Sequence, residues 1–242
     1  MRQVSITPHF LDFADGSAMI TMGQTKVITT ATIEEKVPHF LKGMNRGWIS
    51  AEYSMLPRAT HKRNMRERIQ GRISGRSQEI QRLIGRSLRA VTDLTTLGER
   101  TIIIDCDVIQ ADGGTRSASI TCGCISLALA FNKLIEDGII EIMPLKNLVA
   151  AISLGIVEKE KLLDLDYSED ANADIDMNVV GTDTGEIVEV QATAEKAPFS
   201  RDDLSEMIQM AEKGIMEMAA LQKNILTKES ILFMAYGNNG VD

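Results

Sequence analysis

Three groups of residues in this sequence are of types that bind or transform anions. The first is Gly113-Gly114-Thr115-Arg116-Ser117. It follows a β-branched run, Thr101 to Ile109, and opens an Ala-, Ile- and Leu-rich stretch that reaches Phe131. That order predicts a strand, a glycine turn and the first turn of a helix. Glycine lets the backbone approach a ligand closely, and the open N–H groups and positive end of a helix favour an anion there. Thr115 and Ser117 add hydroxyl donors, and the planar fork of Arg116 suits phosphate oxygens. The same residues also fit an ordinary strand–turn–helix corner in which Thr115 is the cap.

The second group is a carboxylate pair, Asp170 and Asp176, inside an acidic run from Asp164 to Asp176. The spacing predicts one carboxylate on a loop and the other at a strand start. Two carboxylates close together bind a hard divalent cation, or one is kept protonated as a general acid. A solvated acidic loop is the alternative.

The third group is basic. Ten basic residues, nine of them arginine, lie between Arg58 and Arg89, opposed only by Glu67 and Glu79, in a chain of formal net charge −8. An acidic total argues against binding nucleic acid over the whole surface, and this distribution predicts a localised basic patch on an acidic body. Arg58, Arg63, Arg66 and Arg76 fall in a stretch without firm period, read as a mobile loop with room for one helical turn. From there long side chains can reach a flexible polyanion. Arg82, Arg86 and Arg89 belong to a predicted helix capped by Ser77 and running to about Leu94. Its buried stripe is Ile80, Leu83, Ile84, Leu88 and Val91, which leaves these arginines on a solvated or subunit-facing side.

Other chemistries find little support. His9, His39 and His61 are scattered, and no serine has a base nearby in sequence, so nothing suggests nucleophilic catalysis. Cys106, Cys122 and Cys124 are odd in number, with no disulfide framework or metal cage. They read as small core residues of a reduced, cytosolic protein. No apolar run reaches the length of a membrane span and no secretory leader precedes the first strand-like segment, so a cytoplasmic protein with no membrane partner is expected.

The elements that must position these groups are predicted as follows. Arg2 to Thr7 reads as an edge strand. Ser17 to Met22 and Lys26 to Ile33 form a hairpin across Gly23-Gln24-Thr25, and Gly47 to Leu56 is a strand after an exposed loop. Leu148 to Val157 pairs with Lys161 to Leu165. Ile175 to Gly181 pairs with Glu186 to Ala194. Ser200 with Asp203 opens a last helix through about Leu226. The fold class is α+β, a single domain spanning 1–242 with mixed sheets covered by helices, and residues from about 227 form a C-terminal tail whose final part, Tyr236 to Asp242, is frayed.

The stretches LKGMNRGWISAEYSMLPRATHKRN, GRSQEIQRLIGRSLRAV, LGERTIIIDCDVIQADGGTRSASIT, DMNVV and EVQATAE resemble, in order, motifs of the ribonuclease PH family, and the likeness as a whole runs from the first strand to beyond Pro198. The resemblance implies the fold shared with polynucleotide phosphorylase core domains and exosome ring subunits. It also implies a homo-hexameric ring built as a trimer of dimers, with inorganic phosphate as co-substrate and Mg2+. The implied activity is a phosphate-dependent 3′-to-5′ exoribonuclease, a reversible nucleotidyltransferase, which trims the 3′ ends of tRNA precursors and releases nucleoside diphosphates. Carried over by position, Gly114, Thr115 and Arg116 match the phosphate-binding motif, which Arg76 completes. Arg58, Arg63 and Arg66 fall on RNA-binding arginines, and Asp170 and Asp176 on the two active-site aspartates, as metal ligands or with one, Asp176 the candidate, as proton donor. Two differences stand out: family members usually begin with a short basic leader, and Ser74-Gly75 precedes Arg76 where relatives often have two glycines. A catalytically silent RNA-binding ring subunit and a hydrolytic nuclease are the alternatives, and retention of both aspartates beside Gly114-Thr115-Arg116 argues against the first.

Overall fold

The computed structural model describes residues 1–196 and 198–231, the side chains of Arg68 and Gln70 excepted. The expected tail from Tyr236 to Asp242 lies outside the described residues. Two sheets and the helices between and beside them make up the fold. The first sheet holds β1 (Val4–Pro8), β2 (Gly16–Met22), β3 (Thr25–Glu34), β4 (Trp48–Met55) and β5 (Thr101–Gln110), in the order β1-β2-β3-β5-β4. The predicted β2–β3 hairpin closes at Met22 opposite Thr25. β4 runs parallel to β5 because a crossover, not a tight turn, joins them. That crossover contains α1 (Glu67–Gln70) and α2 (Gly75–Ala90).

After β5 the chain enters α3 (Thr115–Glu136). Seventeen of its 22 residues are buried, since it packs on β2 and β3 on one side and meets β6 (Val149–Val157) on the other. It is apolar and long enough to span a bilayer, but here it is the core helix between two sheets. The second sheet adds β7 (Glu160–Leu163), β8 (Ile175–Thr182) and β9 (Ile187–Ala194), in the order β7-β6-β8-β9, with α4 (Tyr167–Asn172) before β8. The last helix, α5 (Arg201–Lys228), packs on β6 and β8. One contiguous apolar cluster takes side chains from both sheets, among them Ile20, Ile104, Ile152 and Val179, and from α3 between them, such as Phe131.

Several expectations are corrected. The cap of α2 is Ser74, not Ser77. Ser74 is extended and its hydroxyl accepts from the Ser77 N–H, while the Ser77 hydroxyl donates to Glu67 at 2.6 Å. The helix stops at Ala90, because Thr92 turns away to bridge Leu145. Thr115 does not cap α3: the cap is Gly114, at φ +65. Ser117 is no donor to an outside anion, since two helical residues on from Thr115 it turns into the core and is 0% exposed. Asp170 lies on α4 rather than a loop, because Asp166 and Glu169 form a reciprocal capping box that fixes a short helix. Arg89 is not simply solvated: it donates to the Ile49 carbonyl at 2.6 Å and lies 4.2 Å over the Trp48 ring.

The three cysteines are free and fully buried as expected, and burial pushes the Cys122 and Cys124 thiols up to about 12, far from thiolate chemistry. Ser200 and Asp203 do open α5 with a capping box.

Candidate active site

The corner between β5 and α3 is fixed from three sides. Thr25 donates its hydroxyl to the Gly113 carbonyl at 2.6 Å and accepts from the Asp112 N–H at 2.9 Å. Asp112 Oδ1 accepts from the Tyr167 N–H at the start of α4. Arg2 donates to the Asp112 carbonyl and holds the Asp164 carboxylate through both Nε and Nη2. The backbone here admits glycine only. Gly113 has φ +73, and a Cβ on it would fall 2.3 Å from the Leu165 carbonyl oxygen. Gly114 has φ +65, and its Cβ would strike the Met22 methyl at 2.8 Å.

The start of α3 therefore has no side-chain cap and no acidic residue in its first turn. Its open N–H groups and positive end face a cavity of about 720 Å³. Gly113, Gly114, Thr115 and Arg116 border this cavity, and so does Arg76 near the start of α2. Arg76 and Arg116 are each the second residue of a helix lacking first-turn acids, so two guanidinium groups and the uncapped start of α3 meet one space. The Thr115 hydroxyl is 2.8 Å from the hydroxyl of Tyr53, whose pKa is raised by burial.

The opposite wall comes from the second sheet. Asp176 on β8 faces Gly155 on β6, and Asn178 faces Ser153, so the four share one face. Asp176, Asn178 and Ser153 line the cavity, with Asp170 from α4. Burial first, then the charge of Asp170, raise the Asp176 pKa, while Arg116 and Arg76 pull it down. Asn178 donates to Asp176 Oδ1 at 3.3 Å.

All six of Arg76, Gly114, Thr115, Arg116, Asp170 and Asp176 thus border a single cavity. Arg58, Arg63 and Arg66 do not: each is exposed, on the segment that contributes Thr60, His61, Lys62 and Asn64 to the cavity's edge. Sequence reasoning missed Tyr53, Ser153 and Tyr167, which carry no spacing signal, and Asn178, which strand alternation from Asp176 could have found. Among the described residues no group of three His, Cys, Asp or Glu is placed to hold a metal. A two-carboxylate donor set fits Mg2+, which binds one or two protein carboxylates and takes its other oxygens from water and phosphate.

The sequence matches the 3′ exoribonuclease family, domain 1, over residues 1–131 and domain 2 over residues 147–214. Ribonuclease PH of Neisseria meningitidis serogroup B is 56% identical over 227 residues, covering 94% of both chains. Ribonuclease PH of Moorella thermoacetica is 55% identical over 226 residues, covering 93% of this chain and 90% of the relative. Among solved structures, rice (Oryza sativa) Rrp46 superposes with a TM-score of 0.74 at 21% identity, covering 93% of this chain and 95% of that one. The Archaeoglobus fulgidus exosome with RNA bound to the active site gives 0.78 at 19% identity, covering 93% and 88%. At those identities the structural likeness establishes the fold.

Proposed function

The chain belongs to the 3′ exoribonuclease family as a phosphorolytic 3′-to-5′ exoribonuclease of the ribonuclease PH type, trimming tRNA precursors, and we propose that the cavity between its two sheets is where orthophosphate meets the RNA 3′ end. One observation carries the proposal: two guanidinium groups, an uncapped helix start and two carboxylates border the same 720 Å³.

Phosphorolysis must bring two anions into line. The Gly114–Arg116 corner binds the incoming phosphate, with Arg76 and Arg116 offsetting its charge and orienting one oxygen at the last phosphodiester. That phosphorus–oxygen bond breaks as the new one forms, so a nucleoside diphosphate leaves and the shortened RNA keeps a 3′ hydroxyl. Asp170 and Asp176 would hold Mg2+, which supplies charge neutralisation for phosphoryl oxygens. The alternative role for Asp176, in place of binding the cation, is to hold a proton beside the departing 3′ oxygen, since burial raises its proton affinity. Because one phosphate ester is exchanged for a phosphoanhydride with little net change, the reaction runs backwards with excess nucleoside diphosphate. The exposed Arg58, Arg63 and Arg66 hold the RNA backbone outside the cavity without reading sequence.

The chain acts in this proposal as one catalytic domain with a C-terminal tail from about residue 227, a reading supported by an apolar cluster that spans both sheets of the described residues. The functional unit is a homo-hexameric ring, a trimer of dimers, in the cytoplasm. Fully exposed Phe13, with Phe10 and Leu11 nearby in sequence, supplies apolar surface for such contacts.

Incubation with a 3′-extended tRNA and Mg2+, with and without phosphate, tests the activity. Nucleoside diphosphates appear only with phosphate. Monophosphates without phosphate would mean hydrolysis, and no product at all would mean a silent RNA-binding subunit.

A further inference from the structure

Ser153 lies on β6 and is only 5% exposed, yet its Oγ has no hydrogen-bond partner among the described residues. A buried hydroxyl without a partner is costly and rare, so a missing one calls for an occupant. Two other buried polar atoms, Ser117 Oγ and Gln222 Oε1, are also unpartnered, but neither residue borders the cavity, whereas Ser153 does.

Its position is specific. A Cβ on Gly114 would sit 3.6 Å from Ser153 Oγ, so the hydroxyl stands against the wall where the uncapped helix begins. Neither amide nearby in the sheet accepts from it: cross-strand Asn178 turns its N–H to Asp176 without bonding Ser153, and the amide oxygen of Gln191, opposite Asn178 on β9, is taken by Arg116. An oxyanion seated on the Gly114–Arg116 corner supplies the acceptor that Ser153 lacks.

We infer that Ser153 is a further phosphate ligand, its hydroxyl donating to an oxygen of the incoming orthophosphate. This rests on the reading of the cavity as the phosphate site. The anion is then clasped between the helix corner of the first sheet and a strand of the second, so the two halves of the chain are joined through the co-substrate.

Ser153→Ala in the full chain tests it, with inorganic phosphate as probe. Without phosphate, melting is unchanged or slightly higher than wild type, because no bond is lost. The rise in Tm that phosphate gives wild type shrinks, the KM for phosphate in trimming a 3′-extended tRNA increases about tenfold, and the Kd for RNA in phosphate-free buffer stays the same. A variant whose phosphate KM and phosphate-induced Tm rise match wild type overturns the inference, as does weaker RNA binding with an unchanged phosphate KM, which would make Ser153 an RNA contact. A clear drop in phosphate-free Tm would show a structural hydroxyl instead. Should wild type itself show no Tm rise with phosphate, the phosphate-site reading fails, and the inference with it.

Discussion

Arg116 Nη1 donates to Gln191 Oε1 at 2.9 Å, and Gln191 in turn donates from Nε2 to Glu79 Oε1 at 2.8 Å. A guanidinium at the start of α3 is thus steered by β9 of the second sheet and by α2, with Glu79 itself 3.8 Å from Arg116. A long side chain held this way loses little freedom when an anion arrives. Gln191→Ala releases it, and the KM for phosphate should rise roughly three- to tenfold, against about a hundredfold for Arg116→Ala, which removes the charge-assisted donor itself. Steady-state kinetics over a phosphate series, with a filter-binding Kd for RNA, checks this. RNA affinity falling in step with activity would place the pair on the RNA instead.

Asp176 gives a pH test. Folding raises its pKa above the ordinary value of 3.8, chiefly by burial and then by the charge of Asp170. The folded state therefore holds that proton more tightly than the unfolded chain. Its contribution to stability is complete below about pH 3.8 and is lost as pH rises through the raised value. Asn carries no such penalty. Without magnesium or phosphate, Asp176→Asn should gain in Tm relative to wild type as pH goes from about 4 to 7, while trimming falls at least about a hundredfold. A variant less stable than wild type at pH 7 would mean that Arg76 and Arg116 outweigh burial.

Arg58 and Arg63 are exposed and do not line the cavity, although their segment forms its edge. Their work is electrostatic, and each phosphate contact on a single strand contributes about 0.7 to the slope of log K against log salt. Arg58→Ala with Arg63→Ala should make that slope about 1.4 less steep, leaving the phosphate KM unchanged. An unaltered slope would mean that this segment faces something other than RNA.

The Asp164 side chain is 0% exposed and its charge is held by Arg2, which also fixes the Asp112 carbonyl behind the glycine corner. Removing one partner of a buried pair strands the other, at a cost of about 3–5 kcal/mol. Arg2→Met should lower Tm by roughly 10 °C and raise the phosphate KM. The transition should remain single, with both sheets melting together. Two separated transitions would contradict one folding unit, and an unchanged Tm would remove Arg2 from the support of the site.

Much of this was legible in the sequence because the signals are local. The β-branched run from Thr101 to Ile109, the Gly113-Gly114 pair and the capping pair Ser200 with Asp203 each specify a conformation over a few residues. What was not legible depends on distant neighbours. Ser74 outcompetes Ser77 as a cap through Glu67, ten residues from Ser77, which occupies the Ser77 hydroxyl. Arg89 resembles a surface arginine until β4 brings Trp48 and the Ile49 carbonyl beneath it. Ser153 sits in an apolar run, and only the second sheet's approach to Gly114 gives it meaning. Arg76, Arg116 and Asp176 were separately notable, but a shared cavity exists only once α3 lies between the sheets.

The most direct test is a crystal soaked with inorganic phosphate. The account predicts tetrahedral density at the start of α3, within hydrogen-bond reach of the Thr115 and Arg116 N–H groups and of the Arg76 and Arg116 guanidinium groups, beside Asp170 and Asp176. Density elsewhere on the protein with this corner left to solvent, or Arg76 turned away from a phosphate bound there, would contradict it.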